Sequence, residues 1–353
     1  MPISNYKLKK LNDSIENARN RLKDFLKSQG IEIEEDYTLR KLIKLIPSKN
    51  RPVALDNTLY GHSMVKLSDN LVLISGGATN ADTVTNDNYV LNLNTNIKIN
   101  KLQLDTPRQK HSVVNWDSNI LISGGLNGGL IGNRLNTNQI YNIDTNTFIT
   151  KLNLPSSRER FTSNYNNNTV YMLGGITGSE WDTINNFHVA YNLETNTYVN
   201  KASIGKYAGQ STVHNNAHFF YFGGQENQYS EVRNWVKAYN KNTDTFVNKQ
   251  NLGVARSTLT ATYLKDDKVL LSGGYKLNNV KSSKNEIYNI SANTYTSKRD
   301  LTPPRSDHAS LCLGDKVVFV GGKTTLTEEE VRGTPINTID FYDFENNEFY
   351  RRD

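Results

Sequence analysis

Five cations recur about every 50 residues along this chain: Arg108, Arg158, Lys206, Arg256 and Arg305. A guanidinium presents a planar fork of donors that fits a carboxylate or a phosphate. Gathered around one opening, the five would form an anion-binding mouth. The same spacing admits a structural alternative, in which each guanidinium satisfies buried carbonyls of a neighbouring unit. His62, His111 and His308 also share a register, and three imidazoles near one axis could hold a metal. Alternate units lack them, which favours hydrogen-bonded interior side chains and no metal. Glu159, Glu180, Asp182, Glu226, Glu231 and the run Glu328-Glu329-Glu330 are available acids, read here as solvated loop charges. Cys312 is the only cysteine, so an internal disulfide framework is excluded, and its apolar run Ala309-Ser310-Leu311-Cys312-Leu313 suggests a buried, inert thiol. There is no glycine-flanked serine elbow. The reading is of a non-enzymatic chain with no catalytic residue and no cofactor.

The elements that must position these residues announce themselves by repetition. Short apolar runs end in glycine pairs at Gly76-Gly77, Gly124-Gly125, Gly174-Gly175, Gly223-Gly224, Gly273-Gly274 and Gly321-Gly322. The intervals are 48, 50, 49, 50 and 48 residues. No helix pattern follows the pairs, so they are close backbone approaches and not phosphate cradles. After each pair a tyrosine begins a second run: Tyr89, Tyr141, Tyr191, Tyr239, Tyr288 and Tyr342. Turns rich in Asn, Thr and Asp then lead into a further run, because Asn and Asp tolerate left-handed backbone. A period near 50 residues built of short strands is the mark of a radial array. The expectation is an all-β protein of six four-stranded units. The first opens on its innermost strand near Gly61 and the last closes on Phe349-Tyr350, so each sheet should be contiguous in sequence. Long, variable second-to-third connections and the fourth-to-first connections fall on one face.

The formal net charge is +6, of which residues 1–50 carry 11 Lys/Arg against 7 Asp/Glu, or +4. Basicity concentrated at one end argues against a nucleic-acid surface. No apolar run approaches a membrane span or a signal-peptide core. Leu8, Leu11, Ile15, Ala18, Leu22 and Phe25 form a strict heptad seam on an expected helix over residues 6–29. A second short helix ends at Pro47. The expected organisation is a helical anchor or oligomerisation segment over 1–47, a linker over 48–57 and a β-propeller over 58–353.

The glycine pair, the later tyrosine and the arginine before the next first strand together resemble the kelch repeat, six times over from Leu59 to Asp353. The resemblance implies a six-bladed propeller. In kelch proteins that bind acidic peptides, arginines at this register contact the ligand, which points to Arg108, Arg158, Arg256 and Arg305; the fourth copy offers only Lys206, and the first nothing. The N-terminal S-I-E-N-A-R-N-R-L and T-L-R-K-L-I-K-L-I segments resemble a helical module of tail and baseplate proteins from phages of low-GC Gram-positive hosts. That resemblance implies a virion component, assembled with itself or other structural proteins, whose propeller binds a host-surface glycan, an anionic envelope polymer or a neighbouring virion protein. A kelch-type carbohydrate-active enzyme such as a sugar epimerase is the alternative, and a cytoplasmic interaction adaptor the third.

Overall fold

The structure is a computed structural model. It describes residues 54–79, 83–129, 132–178, 183–226, 231–325 and 333–350, together with Glu16, Arg19–Arg21, Lys23, Asp24 and Lys27, which are helical. The six heptad residues Leu8, Leu11, Ile15, Ala18, Leu22 and Phe25 lie outside the described residues, as do the second helix and Glu180, Asp182 and Glu328–Glu330.

Six four-stranded antiparallel sheets follow one another in sequence order. Blade 1 consists of Ser63–Lys66, Leu71–Ser75, Asn88–Asn92 and Ile97–Asn100. Blade 4 is Ser211–His214, His218–Phe222, Val236–Asn240 and Thr245–Asn248, and blade 5 is Thr260–Tyr263, Lys268–Ser272, Asn285–Asn289 and Thr294–Ser297. Blade 6 ends the ring with Ala309–Leu313, Lys316–Val320, Ile339–Asp343 and Glu348–Tyr350. Each innermost strand touches those of both neighbouring blades, and blade 1 meets blade 6, so the ring is closed. Each blade is a contiguous meander, as the positions of Gly61 and Tyr350 predict.

Among the described residues, no strand is borrowed to close the ring. Leu55 N–H donates to Asn337 O at 2.9 Å and Leu59 N–H to Ile336 O at 3.0 Å, while Ala54 makes one isolated bridge to Thr338. The Leu55 bond matches those of Leu104, Leu154, Leu252 and Leu301 to Asn86, Asn136, Asn234 and Ser283. The propeller's last connection therefore starts inside the stretch read as linker. Leu55, Leu59, Leu91, Val318, Val320 and Phe341 then pack between blades 1 and 6. At about 1.5–3 kcal/mol for each large buried side chain, such a cluster can replace a strand latch.

The glycine pairs tie each blade to the next. Gly76 has φ +59°, and a Cβ there would lie 2.4 Å from Arg108 O. Gly77 N–H donates to that same oxygen at 2.7 Å. Only a residue without a side chain lets the two backbones come this close.

The Asn and Asp turns hold the outer rim. Asn96, Asn146, Asn196, Asp244, Asn293 and Asn347 take φ between 53° and 61°. Asn146 Oδ1 accepts the Tyr141 hydroxyl at 2.7 Å and the Leu102 N–H of the preceding blade at 2.8 Å. The same double bond recurs at Asn196, Asp244, Asn293 and Asn347. Blade 1 departs from it. The register pairs Asn92 with Ile97 as it pairs Asn142 with Thr147, so Leu91, and not Tyr89, stands where Tyr141 stands. Cys312 also departs from expectation: it is half-buried, because its strand end lies at the tight-turn face.

Candidate ligand-binding mouth of the channel

The axis is framed by one residue from each blade: Gly61, Lys110, Arg160, Gly209, Thr258 and Asp307. Each N–H donates to the carbonyl of the preceding member, and Gly61 N–H to Asp307 O, at 2.6 to 3.4 Å, so the backbone bonds close into a ring. All six have positive φ, between 49° and 65°. For four non-glycine residues to adopt this conformation at one register, the ring of bonds must offset a strain of roughly 1–3 kcal/mol each. With all six backbone amides engaged in the ring, the side chains are what the mouth offers. A cavity of about 150 Å3 is lined by these six and by His62, His111, Phe161, Gln210, Leu259 and His308.

The recurring arginines stand two positions earlier and do not line it. Arg108, Arg158, Arg256 and Arg305 are buried within the blades. Arg108 donates to Gly124 O at 3.0 Å, Arg158 to Gly174 O at 2.8 Å and Arg256 to Gly273 O at 3.1 Å. Arg256 also pairs with Glu286, Arg305 with Asp340, and Arg158 lies 3.3 Å above the Phe187 ring. The role is structural, but where the sequence suggests that each guanidinium satisfies carbonyls of a neighbouring unit, Arg108, Arg158 and Arg256 bond a glycine carbonyl of their own blade. The anion-binding expectation for these four is corrected accordingly, because groups so enclosed cannot meet a ligand. Lys206 is exposed, and Tyr207 occupies the arginine position of its blade.

Among the described residues, the cations that line the cavity are Lys110 and Arg160, and Lys281 and Lys323 lie close enough to act on Asp307. Asp307 sits among them: burial raises its pKa, but Arg160, Lys110, Lys323 and Lys281 more than offset this and hold it below the ordinary carboxylate range. Glu159 is fully buried, 3.2 Å from Arg134 and 3.7 Å from Lys110. It is not the solvated loop acid expected, and against the pull of burial its cations also keep it ionised. Five cations thus face two carboxylates, an excess of three. Burial lowers Lys110 and Lys281, and lowers Lys323 to about 8.

Arg160 reaches across blade 4 to the Tyr275 hydroxyl of blade 5 at 3.3 Å. Gly209, lying between them in the ring, has no side chain to obstruct it. Tyr275 in turn donates to Gln225, which also accepts from Ser257 at 3.2 Å. Lys323 Nζ lies 3.7 Å from the centre of the Tyr60 ring.

His62, His111 and His308 are buried beneath the ring and close over glycines of the preceding blade. Burial lowers His62 to about 4, His308 to about 3, and His111 well below its usual value, so all three are neutral at pH 7. Among the described residues no group of three or more His, Cys, Asp or Glu could hold a metal ion.

The profile of the KLHDC2/KLHL20/DRC7 Kelch-repeats domain matches residues 61–246, more than half of the chain. A solved structure titled "Structure of YjhT" shares the fold at a TM-score of 0.69 and 14% identity, covering 88% of this chain and 100% of that one. Curated protein sequences gave no match.

Proposed function

Because the chain belongs to the kelch-repeat family, whose propellers mediate protein interactions, we propose that it is a non-catalytic binding protein that takes an acidic segment of a partner into the cationic mouth of its channel. The observation that carries this reading is the excess of cations around Asp307, on the face that also bears the long connections. Loops and connections displayed on a rigid scaffold are where binding usually resides. Asp307 and Glu159 are both held ionised, so neither carboxyl is a proton donor near neutral pH. That weighs against an epimerase-like mechanism that uses a carboxylic acid as its proton donor.

The test is fluorescence anisotropy with a glutamate-rich peptide, against a lysine-rich peptide of equal length. Arg160→Gln should weaken binding about tenfold and Lys323→Gln somewhat less, with affinity falling as salt rises. Lys323 loses its charge as pH rises through about 8, so affinity should fall between pH 7 and 9.5. Equal binding of both peptides would sink the proposal. Binding of an anionic envelope polymer, and not of the acidic peptide, would move the ligand to the glycan class.

The proposal includes the sequence-based anchor. Residues 1–47 would associate through their heptad seam, in a phage tail or baseplate, because an isolated helix of this length is marginal in water. Light scattering should find the full chain associated and a truncated chain beginning at Leu55 monomeric. Two monomers would remove the anchor.

A further inference from the structure

Blade 4 departs from the pattern of blades 5 and 6, and the departure leaves an opening. At one register of the third strand, Glu286 in blade 5 and Asp340 in blade 6 neutralise the buried arginines Arg256 and Arg305. In blade 4 the arginine is replaced by Tyr207 and the acid by Lys237. Neither residue offers the other an opposite charge. Tyr207 instead stacks on Trp235, at 6.1 Å between ring centroids and 14° between planes. Lys237 turns to the outer strand and donates to Asn248 at 2.6 Å. A crevice of about 430 Å3 results, lined by Trp235, Lys237, Asn248, Lys249 and Asn251.

We infer that this flank of blade 4 is a second binding site, separate from the channel mouth, for a saccharide that carries a carboxylate or phosphate. The indole supplies a flat, polarisable wall on which the C–H face of a pyranose packs. Asn248 and Asn251 are exposed amides, each offering both a donor and an acceptor to sugar hydroxyls. The ammonium groups of Lys237 and Lys249 pair with no carboxylate among the described residues, and Lys237 lies 5.1 Å from the Trp235 ring centre. Arg233, also 5.1 Å from that ring, is already occupied by Glu226 and Glu231 at 2.6 and 2.7 Å. The two lysines are therefore left to meet an anionic substituent.

Galacturonate tetrasaccharide tests the inference, with a neutral galactose tetrasaccharide and citrate as controls. Binding is followed on the full chain by isothermal titration and by the Trp235 indole N–H resonance. The acidic sugar should bind at least about tenfold more tightly than either control. Lys249→Gln and Lys237→Gln should each weaken it severalfold, and Trp235→Ala should abolish it. The lysine variants keep the test meaningful should Trp235→Ala fail to fold. Arg160→Gln should leave this binding unchanged, which separates it from the mouth. Absence of binding at millimolar sugar, equal binding of citrate, or loss on Arg160→Gln alone would each overturn it.

Discussion

Blades 4 and 5 share a backbone and differ in what they enclose at one place. In blade 5 the position before the innermost strand is Arg256, buried against Gly273 O, Lys284 O and Glu286. In blade 4 it is Tyr207, equally buried and stacked on Trp235. Both residues still accept the same bond through their carbonyls, Gly175 N–H to Tyr207 O at 2.7 Å and Gly224 N–H to Arg256 O at 2.8 Å. The repeat therefore fixes the backbone contact between blades and leaves the enclosed side chains to vary in concert. Arg256 is held with an acid, Glu286, and Tyr207 with an aromatic ring, Trp235.

Removing the arginine from blade 5 should break the comparison hardest. Arg256→Ala strands the Glu286 carboxylate and should cost about 3–5 kcal/mol in urea denaturation, while Lys237→Ala in blade 4 should stay within about 0.5 kcal/mol. Equal losses would mean that Glu286 is solvated after all. The shared backbone contact is tested next. A Cβ at Gly223 would lie 2.1 Å from Arg256 O, and one at Gly174 2.3 Å from Tyr207 O. Alanine at either position should therefore cost about 2–4 kcal/mol, from positive φ and overpacking together. A clear difference between them would show that the two contacts are not equivalent.

Transplanting the pair sharpens the comparison. Tyr207→Arg alone places a guanidinium beside Lys237, and Lys237→Glu alone gives a carboxylate with no arginine. The double variant should recover about 1–3 kcal/mol over the sum of the single changes. Additivity would show that blade 4 no longer has the arginine-holding geometry. The smallest effect concerns what the two blades have in common at the rim. Tyr239→Phe and Tyr288→Phe remove the hydroxyls bonded to Asp244 and Asn293, both at 2.7 Å. Each should lower stability by about 0.5–1.5 kcal/mol, seen as a shift in the denaturation midpoint.

The chain by itself determined the number of blades, their contiguous meander, the tight glycine contacts and the Asn/Asp turns. All of these rest on local periodicity, on backbone conformations that few residues tolerate, and on repetition that makes each signal legible six times. It also exposed both possibilities for Arg108, Arg158, Arg256 and Arg305. The choice between them needed the tertiary structure. A left-handed ring residue placed two positions after each arginine position turns the guanidinium into the blade and hands the mouth to Lys110, Arg160 and Asp307. Nothing in the spacing of one repeat tells which of two neighbouring polar residues faces the axis. Likewise, Glu159 reads as a loop acid until Arg134 and Lys110 are folded against it. Tyr89 reads as one of six equivalent tyrosines until strand pairing gives its place to Leu91. Arg160 and Tyr275, 115 residues apart, meet only because the ring closes. Local sequence encodes strands and turns, but which side chains converge on the axis depends on all six blades at once.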